Sequence, residues 1–161
     1  MTRAWLVALL LPVLATRASA DVRLYGMVDF PAGVAPLPGV GIGVELGSWR
    51  DSLSLDASGG GVPICFGDCV IYAWAGASVA YHHQLTDRIF VGPRIGAIDR
   101  GLGAGQPPSD IFGWATLGVL EVGFRRPTNG WIASASLGAG ASMAADRVPW
   151  PAVSVRVTYG R

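Results

Sequence analysis

The sequence predicts an all-β fold: an eight-stranded antiparallel up-and-down β-barrel preceded by a cleaved signal peptide. Three observations lead to it. The chain opens with a short apolar leader, it then alternates with a period of two residues instead of the helical 3.6, and its connections alternate between short and long. We therefore divide it into a signal peptide, residues 1–20, and a single barrel domain, residues 21–161.

The first twenty residues have the organisation of a secretory signal. Arg3 supplies the positive start, residues 4–15 form an uncharged apolar run, and Ala18-Ser19-Ala20 is a small-x-small cleavage site. The apolar run is shorter than the about 20 residues that a membrane-spanning helix needs. We therefore expect export, with a mature chain that begins at Asp21.

The composition of the rest favours a barrel in a membrane. The chain is 51% hydrophobic and only 14% charged, yet no later segment has the length and apolar character of a spanning helix. Only helices and closed barrels satisfy every backbone polar group inside a bilayer. Removal of Arg3 and Arg17 leaves ten Arg against eleven Asp and Glu. This charge balance gives no basis for nucleic-acid binding.

Two-residue alternation is clearest in the last segment. Residues 153, 155, 157 and 159 are Val, Val, Val and Tyr, whereas Ser154, Arg156 and Thr158 occupy the opposite face. Similar alternation occurs over 40–46 and 131–143. Together with weaker alternation elsewhere, it predicts eight strands. We place them at 22–30, 39–48, 52–58, 70–82, 88–98, 111–125, 130–143 and 150–160.

The connections distinguish the two ends of the predicted barrel. Short turns fall at 48–51, 83–87 and 126–130, where Pro, Asp and Asn-Gly are typical turn residues. The other connections, at 31–38, 59–69, 99–110 and 144–149, are mostly longer. Bacterial outer-membrane barrels have short periplasmic turns and longer external loops, and an even strand number places both termini on the periplasmic side.

On these features the chain resembles the small eight-stranded outer-membrane β-barrel proteins of Gram-negative bacteria, over its whole mature length. The resemblance rests on the signal, the alternating strands and the terminal strand 153–159, which is similar to the segment that the barrel-assembly machinery recognises. This chain ends with Gly160-Arg161 instead of an aromatic residue. The resemblance implies a transmembrane barrel in the cell outer membrane after signal-dependent export, with outer-membrane lipid and the assembly machinery as partners.

An outward apolar face would place a set of charged residues in the lumen. Their signs are mixed, so that they can pair, and pairing offsets the cost of burial. For Arg156 the alternation gives Glu45, Asp29 and Glu121 as candidate partners. The predicted lumen charge network comprises Arg23, Asp29, Glu45, Asp56, Arg94, Glu121 and Arg156.

Aromatic residues are expected at both rims of such a barrel, at the level of the lipid headgroups. Four lie near the short turns or the C-terminus and three near the longer connections. The first group is Tyr81, Phe124, Trp131 and Tyr159, and the second is Phe112, Trp114 and Trp150.

Cys65 and Cys69 lie in the predicted 59–69 loop, and they are the only two cysteines. Exported proteins fold in an oxidising compartment, so we expect a disulfide between them. A metal site needs more ligands than two cysteines. The sequence therefore predicts no catalytic, cofactor-binding or metal-binding residues.

The remaining polar pairs are interpreted as features of the turn rim. His82-His83 precede a short turn, where we interpret them as histidines at the membrane interface. We interpret Arg125-Arg126 as solvated residues at the edge of the barrel. Some lipid-modifying outer-membrane enzymes use His with Ser and a carboxylate, but here no Ser follows in Gln84-Leu85-Thr86-Asp87.

We expect a non-enzymatic integral membrane protein with a structural or surface-interaction role. It is not a wide pore, because side chains fill the lumen of an eight-stranded barrel. Two alternatives stay open: a lipid-directed enzyme of the acyl hydrolase type, and a soluble periplasmic ligand-binding barrel. The extracellular ligand, if the loops bind one, is left open.

Overall fold

A computed structural model describes residues 21–32, 35, 37–66, 68–103, 113–144 and 149–161, and the predicted signal peptide at 1–20 lies outside the described residues. The described residues form eight strands. They are β1 (Asp21–Ala32), β2 (Gly39–Gly47), β3 (Asp51–Phe66), β4 (Asp68–Gln84), β5 (Ile89–Gly103), β6 (Gly113–Thr128), β7 (Trp131–Ala144) and β8 (Pro149–Gly160).

Every strand pairs with its neighbours in the chain, and the first pairs with the last. The order is a closed ring from β1 to β8. At the seam, β1 and β8 are antiparallel, with Tyr25 opposite Gly160 and Asp29 opposite Arg156. The predicted eight-stranded antiparallel up-and-down barrel is therefore confirmed.

The β2–β3, β4–β5 and β6–β7 turns lie at one end of the barrel, which we call the turn end. At Asn129-Gly130 both residues have positive φ, 51° and 81°, as a two-residue type I′ hairpin turn requires. The turn after β2 is closed by the Ser48 N–H, which donates to the Asp51 carbonyl at 2.9 Å. The opposite end, which carries the tip of the β3–β4 hairpin and the connections at 33–38, 104–112 and 145–148, is the loop end.

The hairpin of β3 and β4 differs from the prediction. Residues 59–66, expected in a loop, continue β3, and the pairing with β4 extends to Phe66 opposite Asp68. The glycines that favoured a loop serve close packing instead. A Cβ on Gly60 would stand 2.5 Å from the Pro38 carbonyl oxygen and 2.9 Å from the Trp74 indole nitrogen, so a larger residue would not fit.

The loop-end half of the lumen contains an apolar cluster, in contrast to the charged half near the turns. The Trp74 indole N–H donates to the Leu37 carbonyl at 3.1 Å. This hydrogen bond joins β4 to the β1–β2 connection at the loop end. Leu37 and Val62 pack against the cluster. Its buried members are Ala35, Tyr72, Trp74, Ile98, Ala115, Leu117, Val119 and Ala152.

Within the described ranges, no helix is long and apolar enough to span a bilayer.

Candidate functional site

The turn-end half of the lumen holds the densest set of charged groups in the described chain. Strand alternation turns the seven residues of the predicted charge network inward. Arg94 and Glu121 are the most deeply buried, at 1% and 0% exposure. Arg23 is half-buried nearest the turn end, and Asp29, Glu45, Asp56 and Arg156 are buried.

Arg156 forms the best-defined ion pair of the network. Its Nη1 and Nη2 donate to the two oxygens of Asp56 at 2.9 and 2.8 Å, and Nη2 lies 3.7 Å from Asp29. The main partner is therefore Asp56, which was not among the three carboxylates expected from alternation. Tyr25 and Ser78 also donate to Asp56, at 3.1 and 2.6 Å, so this carboxylate is saturated with donors.

Arg94 joins this pair to the next carboxylate along the lumen. Its Nη1 donates to Asp29 at 3.2 Å, and its Nε lies 3.0 Å from Glu121. Charged groups from β1, β3, β5, β6 and β8 thus form one continuous chain of contacts. Such pairing offsets much of the cost of removing these charges from water.

A second cluster, centred on Glu45, lies closer to the turns. Arg125 Nη2 donates to Glu45 at 2.6 Å, Arg23 lies 3.4 Å away, and the Ser52 hydroxyl also donates to it. His82 sits between two carboxylates, with Nδ1 3.8 Å from Glu45 and Nε2 3.5 Å from Glu121.

Two residues of this cluster were misinterpreted from the sequence. Arg125 is not a solvated edge, because it is 3% exposed, and His82 is buried as well. Strand alternation contained the necessary signal: Arg125 lies four residues after Glu121 on β6, so both face the lumen. Their position beside the turn suggested a rim instead.

Trp49, in the β2–β3 turn, covers the turn end of the lumen. Its ring centroid lies 5.7 Å from the Arg23 guanidinium carbon and 5.6 Å from that of Arg125. Arg125 also lies 5.1 Å from the Phe90 ring centroid. These are cation–π distances. The indole therefore packs against both guanidinium groups.

His83 occupies a different environment from His82. It faces outward at the turn end, where its Nδ1 lies 2.8 Å from Asp51, and the Tyr81 hydroxyl donates to the same carboxylate at 2.6 Å. In the described part of the chain, neither histidine is hydrogen-bonded to a serine hydroxyl. The described residues also include no group of three or more His, Cys, Asp and Glu arranged to hold a metal.

The cysteines lie near the tip of the β3–β4 hairpin. Cys65 and Cys69 are opposite one another in the strand register. The side chain of Cys69 lies outside the described residues, so the disulfide stays a prediction.

Exposed aromatic residues fall near both ends of the barrel. Trp131 and Tyr159 stack at the turn end, with ring centroids 4.9 Å apart, and Trp114 and Trp150 are exposed towards the loop end. Phe112, predicted at the same rim, lies outside the described residues.

No family model and no curated protein matches this chain. Among solved structures it is similar to Neisserial surface protein A, with 13% identity, coverage of 88% of this chain and 96% of that one, and a TM-score of 0.49. It is also similar to the attachment invasion locus protein Ail of Yersinia pestis, solved with the heparin analogue sucrose octasulfate. That match has 11% identity, 88% and 94% coverage and a TM-score of 0.45. A third similarity, to the N-terminal β-barrel domain of Pseudomonas aeruginosa OprF, has 13% identity, 89% and 100% coverage and a TM-score of 0.38.

Proposed function

We propose that this chain is an integral outer-membrane β-barrel protein with a structural or surface-interaction role. The observation that carries the proposal is the inverted distribution of its side chains. Large apolar residues point outward, with Val40 and Ile42 exposed at 71% and 74%, whereas the charged residues of the strand centres are buried inside. Such a surface is stable against lipid and unfavourable in water.

The outward-facing charges support the same conclusion. Among the described strand side chains they occur only towards the strand ends, at Asp21, Asp51, Asp99 and Arg126. The central part of the outer surface is free of them. A charge placed there would cost about 2–4 kcal/mol in a bilayer but little near its interfaces.

The height of the apolar belt matches a membrane. On β6, the outward residues Trp114 and Phe124 are ten residues apart. At about 3.3 Å per residue and a strand tilt of about 40°, this spacing corresponds to roughly 25 Å along the barrel axis. The apolar band of outer-membrane barrels is about 25 Å tall, flanked by aromatic residues.

A soluble ligand-binding barrel fits these features less well. Its apolar residues would face inward and line a cavity of roughly 300 Å³ or more. Here the charged half of the lumen contains a cavity of only about 30 Å³. The other half is packed with apolar side chains. The same filling argues against a wide pore.

We treat the protein as non-enzymatic. An acyl hydrolase of the His-dependent type needs a nucleophile within hydrogen-bonding distance of its base, whereas His82 contacts two carboxylates and His83 contacts Asp51. A lipid A mass spectrum from a deletion strain tests this point. New or lost acyl chains would favour the enzymatic alternative.

The proposal includes a route to the membrane. Residues 1–20 act as the export signal, the mature chain starts at Asp21, and the barrel-assembly machinery inserts it through the terminal strand. The loop end then faces outward, and its long connections carry any surface interaction, since loops on a generic scaffold hold the specific function.

Cell fractionation of the full-length chain in a Gram-negative host tests the proposal. We expect the protein in the outer-membrane fraction, with heat-dependent gel mobility and an N-terminus at Asp21 by mass spectrometry. A soluble periplasmic pool would contradict the location, and a retained leader would contradict the signal peptide. The two claims are thus tested separately.

A further inference from the structure

A small cavity lies in the turn-end half of the lumen. Residues from all eight strands line it, including Arg23, Arg125, Arg156 and the serine and threonine residues Ser54, Ser134, Ser136 and Thr158. Its space for water centres is about 30 Å³. One water needs about 10–15 Å³ by this measure, so the cavity holds about two waters or one monatomic ion.

Buried arginine N–H groups without protein acceptors surround this cavity. Nε and Nη1 of Arg125 and Nε of Arg156 have no hydrogen-bond partner among the described residues, and both residues are 3% exposed. A buried donor left unpaired costs about 1–3 kcal/mol, and more when charged. The Trp49 and Phe90 rings contact the Arg125 guanidinium, and the unpaired N–H groups favour a further acceptor within the cavity.

The charges around the cavity identify the kind of acceptor. Four arginines, Arg23, Arg94, Arg125 and Arg156, balance four carboxylates, Asp29, Glu45, Asp56 and Glu121. His82 is the ninth group, and both of its ring nitrogens face carboxylates. Only the imidazolium form presents an N–H on both sides. With His82 in that form the turn-end half of the lumen carries one excess positive charge.

We propose that this cavity is a binding site for one monatomic anion of the halide class, chloride being the obvious ion in solution. The anion accepts hydrogen bonds from Arg125 and Arg156 and neutralises the charge that His82 adds. Two carboxylates, Glu45 and Glu121, also line the cavity, and neither oxygen of Glu121 has a hydrogen-bond partner among the described residues. Arg125 donates to Glu45, and Arg94 and His82 lie 3.0 and 3.5 Å from Glu121. A cation is disfavoured because the three arginines of the lining outnumber these two carboxylates. A polyatomic anion such as phosphate exceeds the available space.

The first test is bromide substitution. The refolded barrel is crystallised from detergent in sodium bromide, and anomalous scattering is measured at the bromine edge. We expect one peak inside the lumen, within about 3.5 Å of the Arg125 and Arg156 nitrogens. The absence of an anomalous peak in the cavity, with or without ordinary electron density for water there, overturns the proposal.

The second test measures the effect of chloride on unfolding. Urea unfolding in lipid vesicles is followed in chloride and in gluconate at constant pH and ionic strength. Above the Kd, each tenfold increase in chloride should make unfolding about tenfold less favourable. His82→Gln removes the excess charge but keeps a side chain that can hydrogen-bond, so its stability should lose this chloride dependence.

His83→Gln is the matched control, since it alters the neighbouring histidine on the outer surface. It should retain the full chloride effect. An equal chloride effect in His82→Gln would show an adventitious surface ion only and would overturn the site. If His82→Gln fails to fold, as judged by gel mobility, Ser136→Val removes a lining hydroxyl without changing charge and should lower chloride affinity. An unchanged affinity in that variant counts against the site.

Discussion

Arg156 of β8 and Asp56 of β3 are joined by two hydrogen bonds, of 2.9 and 2.8 Å, although their strands are not neighbours in the barrel. The pair therefore crosses the lumen. Because Asp56 also accepts hydrogen bonds from Tyr25 and Ser78, this one carboxylate connects β3 with β1, β4 and β8.

The Arg156–Asp56 pair should show strong coupling in a double-mutant cycle. We expect Arg156→Ala to lower the free energy of unfolding by about 3–5 kcal/mol, because it leaves a buried carboxylate without its cation. Arg156→Ala combined with Asp56→Ala should cost less than the sum of the two single changes. Urea unfolding in lipid vesicles provides the measurement, and exposed Arg126→Ala is the control. Simple additivity would show that the pair is not coupled.

The position of arginine substitutions along the outer surface should decide their cost. Val155 and Ile89 are similarly exposed, at 44% and 42%, but Val155 lies in the middle of β8 and Ile89 is the first residue of β5. In a bilayer we expect Val155→Arg to cost about 2–4 kcal/mol and Ile89→Arg about 0–1 kcal/mol. The comparison uses vesicle unfolding with gel mobility as a folding check. Equal costs would favour the soluble barrel.

Two glycines on the neighbouring strands β1 and β2, Gly26 and Gly43, should differ in their tolerance of alanine. Gly43 faces the lumen beneath the Tyr25 ring, and an added Cβ would overlap that ring, whereas a Cβ on Gly26 would have its nearest neighbour at 4.0 Å. We expect Gly43→Ala to destabilise the barrel by about 1–3 kcal/mol through overpacking. Gly26→Ala should be close to neutral. The reverse order would mean that Tyr25 does not occupy this place.

The cysteines should be protected from thiol reagents in the unreduced protein. Denatured, unreduced chains should take up no label, and reduced chains should take up two. Replacement of both cysteines by alanine should leave the barrel folded, because the pair closes a loop too short to constrain the unfolded chain strongly. Two labels per unreduced chain would rule out the disulfide.

The sequence contains enough information for the strand number, the turns and the inward side of each strand. Alternation fixes which side chains share a face, and the Asn129-Gly130 turn is specified by two residues that accept positive φ. The seven charged residues could be assigned to the lumen because each lies on the strand face opposite the large apolar residues.

Heights and partners within the lumen could not be predicted in the same way. Alternation does not give strand stagger, so Asp56 was overlooked as the partner of Arg156. It also does not show free volume. Ser154 is fully buried, and its hydroxyl lies only 2.5 Å from the place that a Cβ on Gly138 would take. The Gly59–Gly61 segment was assigned to a loop because its packing partner, Trp74, lies on another strand.

The seam between β1 and β8 has a consequence for how the chain reaches this structure. Seven of the eight strand pairs join consecutive segments, but the seam brings Asp29 opposite Arg156, so its contacts close by far the largest loop of chain. Closure entropy rises with the length of that loop, and non-local pairings slow folding. We expect the consecutive hairpins to form first and the seam to zip last. A circular permutant that links β8 directly to β1 and opens at a loop-end connection would make this step local and accelerate it.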